Sequence, residues 1–250
     1  MKNHRIVLVL LLDILLILLS LSANAAPAPL EILQKMDLTI SGFDDQRMDV
    51  DMTVIDTNGS QKSYYYQVYQ KGESRLVKML SGEVKGMTIL SMSADRVYVY
   101  LPGFKRVRRV AASNLNQAFV GSDFTQDDMA TTEWAKNHDG VIINEDDGFW
   151  YLRCTPKPGE KTGYKYAELK VAKTDFRQWE VKYFNDRDQN YKVMEMSEVY
   201  KFPSGAVRHR RVTMRDVLTS HRTDLFIRDF VVNSGYKDSM FTVRQLQWGK

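Results

Sequence analysis

Side chains able to carry out chemistry are few and widely spaced in this sequence. The three histidines in the body of the chain, His138, His209 and His221, do not stand at a spacing that holds a metal ion. The one cysteine, Cys154, has no base near it in the sequence, which favours a buried structural thiol over a nucleophile. We find neither a glycine-rich phosphate loop nor a GxSxG turn, and therefore expect no catalytic residue, metal or cofactor.

Acidic residues are the remaining candidates for acid–base chemistry. Asp127-Asp128 stands where a helix is expected to begin, and Asp146-Asp147 lies in a hairpin turn, so capping and turn roles are favoured. Asp123, in the motif GSDF, is expected to cap the helix or to bind an arginine of the strand at 105–110, with gating of a cavity as the alternative. For Gly121, a tight turn explains the residue without any ligand.

The first residues predict a targeting signal. A basic start is followed by the almost wholly apolar run Ile6 to Leu21 and by Ala23-Asn24-Ala25, a small-x-small site that signal peptidase accepts. The apolar run is shorter than the roughly 20 residues that a membrane span needs, and it contains Asp13. We therefore expect a signal peptide at 1–25, cleaved after Ala25, and an exported domain at 26–250.

The charge of the chain is mild, +4 overall, and is locally basic at 105–109 and 208–211. Export argues against nucleic acid as a partner. These clusters are then ordinary solvated strand faces, or a surface for an anionic membrane or an acidic partner. Because no linker, repeat or low-complexity tract interrupts the exported part, we expect one domain.

The elements that must position these residues are mostly strands. Pro29 predicts the start of a helix that Gly42 ends, with Leu30, Leu33, Met36 and Ile40 as its apolar positions. From Met48 the apolar period changes to two, and Asn58-Gly59 then predicts a hairpin turn. Further helices are expected at 127–138 and 239–246. The predicted strands are 48–54, 64–69, 75–80, 87–92, 97–101, 105–110, 141–144, 149–153, 166–171, 178–184, 193–199, 207–217 and 223–232.

This pattern predicts a mainly β fold of about ten or eleven antiparallel strands with a few helices. Alternate residues of a strand lie on the same face of a sheet. Assigning one of them to the inner face therefore assigns all of them, and the assignment is right or wrong for the whole set. A face rich in methionine suits variable apolar ligands, although a closed core is the alternative. The residues expected to line an apolar cavity are Leu33, Met36, Val50, Met52, Val54, Tyr66, Val68, Met87 and Ile89.

The centre of the chain is the most specific part of the sequence. In order, it carries YLP, a basic KRVRR strand, a polar linker, and GSDF followed by an acidic pair. This order resembles the LolA-like family of periplasmic outer-membrane lipoprotein-sorting proteins. Weaker resemblance reaches Phe241 and Leu246 near the end of the chain. The residues that carry the resemblance are Tyr100, Leu101, Pro102, Lys105, Arg106, Arg108, Arg109, Phe119, Gly121, Ser122, Asp123, Phe124 and Asp128.

The resemblance implies an incomplete β-barrel whose concave apolar face is covered by a lid of helices. It also implies a periplasmic, non-enzymatic carrier that shields the acyl chains of a lipoprotein or lipid in transit from the inner to the outer membrane. The implied partners are that cargo, an inner-membrane transporter, of the resistance-nodulation-division type for some members, and a transient membrane surface. We expect a monomer. The alternative is an adaptor or binding subunit of such an exporter that uses the basic strand, and a hydrolase is third.

Overall fold

The structure, a computed structural model, describes residues 26–93, 96–111, 117–125, 128, 133–160 and 162–248. The described part contains three α-helices: α1 (Pro29–Ser41), α2 (Trp134–Asn137) and α3 (Val243–Trp248). The strands are β1 (Asp45–Ile55), β2 (Gln61–Lys71), β3 (Ser74–Met79), β4 (Thr88–Ser93), β5 (Arg96–Leu101), β6 (Arg106–Arg109), β7 (His138–Glu145), β8 (Phe149–Pro156), β9 (Tyr166–Ala172), β10 (Gln178–Phe184), β11 (Asn190–Lys201), β12 (Val207–Asp216) and β13 (Arg222–Val232).

All thirteen strands form one open antiparallel sheet in the order β6-β5-β4-β3-β2-β1-β13-β12-β11-β10-β9-β8-β7. Neighbours in the sheet are neighbours in the chain, except that β1 pairs with β13. The edges are therefore β6 and β7. The open antiparallel sheet agrees with the mainly β fold predicted from the strand pattern and with the incomplete barrel that the family resemblance implies. The expected count of ten or eleven was too low: a strand forms at each of the thirteen segments in which the sequence predicts one.

The inner face of the sheet is a single apolar cluster. Val50 of β1 and Leu152 of β8 both belong to it, although five strands lie between β1 and β8 in the sheet. Such contacts require the sheet to curl. Helix α1 lies inside the curl, because Leu33 and Met36 are fully buried in the same cluster.

A second, smaller cluster covers the outer face of β3 to β6. Its buried members are Leu76, Leu90, Phe241 and Leu246, so the segment around α3 folds back onto the sheet. This segment is positioned from β1: the carboxylate of Asp45 accepts backbone hydrogen bonds from residues 234, 235 and 236, at 2.7, 2.8 and 2.9 Å. The short terminal helix expected near 239–246 is present as a 3₁₀ turn, Asp238–Phe241, followed by α3.

Two expectations concern segments that lie wholly or partly outside the described residues. The expected signal peptide at 1–25 lies outside the described residues. The helix expected at 127–138 is a single turn, α2, where the chain is described; residues 126–127 and 129–132 lie outside the described part. His138 begins β7 and does not end the helix, because its backbone is extended. No helix among the described residues is long and apolar enough to cross a membrane.

Candidate functional site

The structure places all nine residues expected to line a cavity in or against the inner-face cluster. Eight of them are at most 6% exposed, and Met87 is partly buried. The residues on β1 and β2 share one face of the sheet, because the two strands pair with Val50 opposite Tyr66. Side chains fill this face in the present structure, and a ligand-lining role stays a prediction.

Sequence reasoning missed the other half of the inner face. Buried Trp150, Leu152 and Cys154 alternate along β8 with less buried residues, and Leu169 and Val171 do so along β9. The same period of two was available in these strands as a signal. Burial raises the pKa of the Cys154 thiol to about 12, which keeps it protonated and agrees with the structural role expected for it.

Helix α1 covers the inner face as a lid. Ile32, Leu33 and Met36 point inward, whereas Leu30, expected on the apolar face, is 52% exposed. The helix passes close over β7 at Gly140, where an added Cβ would lie 2.9 Å from the Leu33 side chain.

The lid is joined to α2 by a carboxylate. Asp37 of α1 accepts hydrogen bonds from the backbone N–H groups of Trp134, at 3.2 Å, and Ala135, at 2.9 Å. A side chain of one helix thus satisfies the free N–H groups at the start of another. Burial raises the pKa of Asp37 to about 6 in spite of these bonds.

A loop at 117–125, here called the plug loop, packs onto the inner face of the sheet. Ala118 and Thr125 form an isolated antiparallel bridge, and Gly121 takes a φ of 73°, which confirms the tight turn expected there. Phe119 and Phe124 point into the inner-face cluster and are 0% and 4% exposed. Their burial next to a glycine turn identifies the GSDF motif as an anchor for this loop.

The partners of Asp123 differ from those expected. Its carboxylate lies 2.7 Å from Nδ1 of His221 and accepts a hydrogen bond of 2.7 Å from the Thr223 hydroxyl, and its backbone N–H donates to that hydroxyl. The expected arginine partner was wrong, because the described partners of the carboxylate are His221 and Thr223. The start of the helix that Asp123 was expected to cap lies outside the described residues. The loop turns toward β13 because its two phenylalanines are buried. Local fixing of the loop is the role that the geometry supports.

The second anchor of the plug loop is an ion pair. Asp128, expected to cap a helix, accepts hydrogen bonds from the backbone and hydroxyl of Thr125 and lies 2.7 Å from Nζ of Lys192. The helix start that the Asp127-Asp128 pair was expected to cap lies outside the described residues, which include neither Asp127 nor residues 129–132. The turn role expected for Asp146 is confirmed, since it accepts the backbone N–H groups of Gly148 and Phe149.

A polar cleft of about 340 Å³ lies beside the plug loop, with both anchors in its wall. Tyr164 and Tyr191 connect it to the inner-face cluster, against which both pack. Burial, with the negative charges of Asp128 and Asp216, raises the pKa of Tyr191 to about 12. Sequence reasoning identified only the motif side of this cleft. Its lining residues are Ala118, Ser122, Asp123, Thr125, Asp128, Gly163, Tyr164, Tyr191, Lys192 and Asp216.

The basic strand lies away from this site. Strand β6 is an edge strand, and Arg106, Arg108 and Arg109 are exposed on it. Tyr100, opposite it on β5, packs in the outer-face cluster, and Pro102 begins a 3₁₀ turn between the two strands. A docking role for these arginines stays a prediction.

The histidines show no arrangement for nucleophilic catalysis in the described residues. Burial lowers the pKa of His138 and of His209 to about 4, and Nε2 of His138 lies 2.9 Å from the Tyr164 hydroxyl. His221 is oriented by Asp123, but within the described part no serine or cysteine side chain hydrogen-bonds to its ring. The same residues contain no group of three or more candidate metal ligands.

Comparison with solved structures identifies the fold. A DUF1329 family protein from Desulfovibrio piger superposes with a TM-score of 0.80 at 20% identity, covering 88% of this chain and 98% of that one. A putative outer-membrane lipoprotein-sorting protein domain from Vibrio parahaemolyticus gives 0.76 at 20% identity, with coverages of 88% and 98%. A LolA superfamily protein from Nitrosomonas europaea gives 0.73, also at 20% identity, with coverages of 88% and 99%.

Sequence comparison gives the family. No curated protein matches the chain. A family model with the description "uncharacterized protein" matches residues 71–248, which is more than half of the chain. The chain therefore belongs to the family that this model describes, and its fold is that of the LolA-like, outer-membrane lipoprotein-sorting proteins.

Proposed function

We propose that this protein is a periplasmic, non-enzymatic carrier that shields the acyl chains of a lipoprotein or lipid between the inner and outer membranes. The observation that carries the proposal is the apolar inner face of an open sheet, covered by α1 and by the plug loop rather than by a further strand. Covers of this kind can move without breaking the ladder of the sheet.

Energetics favour a carrier over free diffusion. A sixteen-carbon acyl chain buries about fifteen methylenes at roughly 0.8 kcal/mol each, so about 12 kcal/mol is lost when the chain enters water. A bilayer offers the same burial, so transfer between a membrane and the carrier can be close to balanced. Because side chains fill the inner face, the cargo has to displace α1 and the plug loop as it enters.

Cargo then replaces contacts that the covers make in the empty protein. Phe119 leaves Tyr66, whose ring centroid lies 6.2 Å away, and the acyl chain takes its place. The polar anchors of the loop at Asp123 and Asp128 limit how far it moves. An energy source is not needed in the carrier itself, since an inner-membrane transporter would supply it.

Binding of an acyl probe tests the proposal. A fluorescent fatty acid should bind the mature protein and be displaced by unlabelled lipid. Met52→Glu places a carboxylate at a fully buried position of β1 and should abolish binding. The control is Ile55→Glu, on the other face of the same strand and paired with Arg222, which should bind normally. Met36→Gln in α1 is a milder variant if Met52→Glu does not fold. A folded wild-type protein that binds no probe would refute the carrier.

Location is part of the proposal. The AxA site at 23–25 supports export, and N-terminal sequencing of protein from the periplasmic fraction should start at Ala26. A membrane-retained product starting at Met1 would contradict it.

One observation favours the adaptor as second candidate. The exposed arginines of β6 stand at a sheet edge, on a surface separate from the plug loop. An acidic partner or an anionic membrane could be recognised there without any cavity.

A further inference from the structure

One end of the inner face is polar where the rest is apolar. Gln46 of β1 lies directly opposite Gln70 of β2, and Gln70 lies directly opposite Arg75 of β3. Directly opposed residues share a face of the sheet, and here it is the face of Val50 and Tyr66. The two glutamines are 4% and 6% exposed, and Nε2 of Gln46 donates to Oε1 of Gln70 at 2.7 Å.

A second guanidinium group joins this end from β12. Nη1 of Arg208 lies 3.2 Å from the sulfur of Met48, the inner-face residue next to Gln46, and the guanidinium lies 4.7 Å from the ring centroid of Phe230. We call Gln46, Gln70, Arg75 and Arg208 the polar end. Burial and, as the smaller cause, the nearby charge of Arg75 lower the pKa of Arg208 to about 10.

The charge of Arg208 is not neutralised within the described residues. No described carboxylate lies within ion-pair distance of its guanidinium group, and its described neighbours are a thioether, an aromatic ring and another cation. In addition, Oε1 of Gln46 is buried and accepts no hydrogen bond from any residue that the structure describes. Both features cost stability in a folded protein, because charged and polar groups out of water need partners.

A ligand that supplies a negative charge and a hydroxyl would satisfy both groups. The planar guanidinium fork matches the oxygens of a phosphate or a carboxylate, and such charge-assisted hydrogen bonds are strong. The buried Gln46 oxygen can accept from the hydroxyl. The neighbouring apolar face continues from Met48 to Val50 and Met52, so acyl chains can extend away from this end.

We propose that the polar end binds the phosphate or carboxylate of an anionic lipid whose acyl chains lie along the inner face. The inference rests on the proposed carrier function and names its cargo class. Anionic phospholipids and fatty acids have such a group, whereas the triacylated cysteine of a lipoprotein does not.

The test compares lipids that share their acyl chains and differ in the head group. Binding of dioleoyl phosphatidic acid, dioleoylglycerol, a triacylated cysteine peptide and inorganic phosphate is measured by displacement of a fluorescent acyl probe and by thermal shift. Arg208→Met is the main variant. Arg211→Met is the control, because Arg211 stands on the other face of the same strand and is exposed. Gln46→Glu, which supplies a carboxylate to the polar end, is a second variant.

The wild-type protein should bind phosphatidic acid at least about tenfold more tightly than dioleoylglycerol or the triacylated peptide. Arg208→Met and Gln46→Glu should both abolish the preference for phosphatidic acid, while their affinity for dioleoylglycerol stays within about twofold of the wild-type value. The control, Arg211→Met, should keep the preference for phosphatidic acid. Without lipid, Arg208→Met should unfold at an equal or higher urea concentration, whereas a merely structural arginine would lower it.

Three outcomes would overturn the inference. Equal binding of phosphatidic acid and dioleoylglycerol by the wild type would remove the head-group site but keep the carrier. Tightest binding of the triacylated peptide would do the same and point to lipoprotein cargo. Thermal stabilisation by inorganic phosphate equal to that by phosphatidic acid would assign the site to free phosphate. The carrier itself fails only if no acyl ligand binds.

Discussion

The Asp37 carboxylate of α1 accepts a 2.9 Å hydrogen bond from the backbone N–H of Ala135 in α2. A titratable carboxylate thus joins the lid helix α1 to α2, which follows the plug loop in the chain. Burial raises its pKa to about 6, and Glu133 contributes through like charge. Cys154 faces the same carboxylate and stays protonated in this pH range.

Stability should depend on the protonation of Asp37. Because its folded-state pKa lies above the ordinary value of 3.8, the folded protein binds this proton more tightly than the unfolded chain. Its contribution to the free energy of unfolding therefore rises as pH falls through 6. We expect wild type to gain about 1 kcal/mol relative to Asp37→Asn between pH 7 and pH 5, measured by urea unfolding. A difference that does not change with pH would show that Asp37 has an ordinary pKa.

Asp123 should matter for the plug loop rather than for chemistry. Asp123→Ala removes the acceptor for Thr223 and the partner of His221, and should lower the free energy of unfolding by about 2 kcal/mol. Acyl binding by the folded fraction should survive, with faster probe uptake because the loop is less firmly held. Asp123→Asn, which keeps one acceptor oxygen, is the control. Unchanged stability with abolished binding would instead give Asp123 a ligand role.

Asp45 should hold the terminal segment on the outer face. Asp45→Ala leaves three backbone N–H groups, those of residues 234–236, without their acceptor and should cost about 3 kcal/mol in urea unfolding. Limited proteolysis should then cut first around α3, whereas Asp45→Asn should resist longer. Cleavage elsewhere with α3 protected would contradict this role.

The arginines of β6 separate docking from cargo binding. Changing Arg106, Arg108 and Arg109 together to glutamine should weaken binding to anionic vesicles or an acidic partner, with the difference fading at high salt. Acyl-probe binding should remain. If the folded triple variant lost probe binding, this strand would belong to the cargo site, and the site described above would be wrong.

Local pattern in the sequence predicted the strands well and their long-range contacts poorly. The alternation from Met48 to Val54 fixed the inner face of β1, because period two leaves only two choices. Nothing local showed that β1 pairs with β13, or that Asp123 meets His221, 98 residues further along the chain. The polar end was equally hidden, since Gln46 of β1 and Arg208 of β12 come to one end of the sheet only because β13 pairs with both strands.

Native mass spectrometry of the protein, purified gently from the periplasm, tests the carrier most directly. The carrier account predicts a mature chain that carries apolar cargo, seen as a mass adduct that lipid extraction removes and identifies as acyl lipid. Met52→Glu, purified in parallel, should lack the adduct, and Ile55→Glu should retain it. A wild-type protein that is ligand-free, and that binds no acyl probe when one is offered, would contradict the account and favour the adaptor.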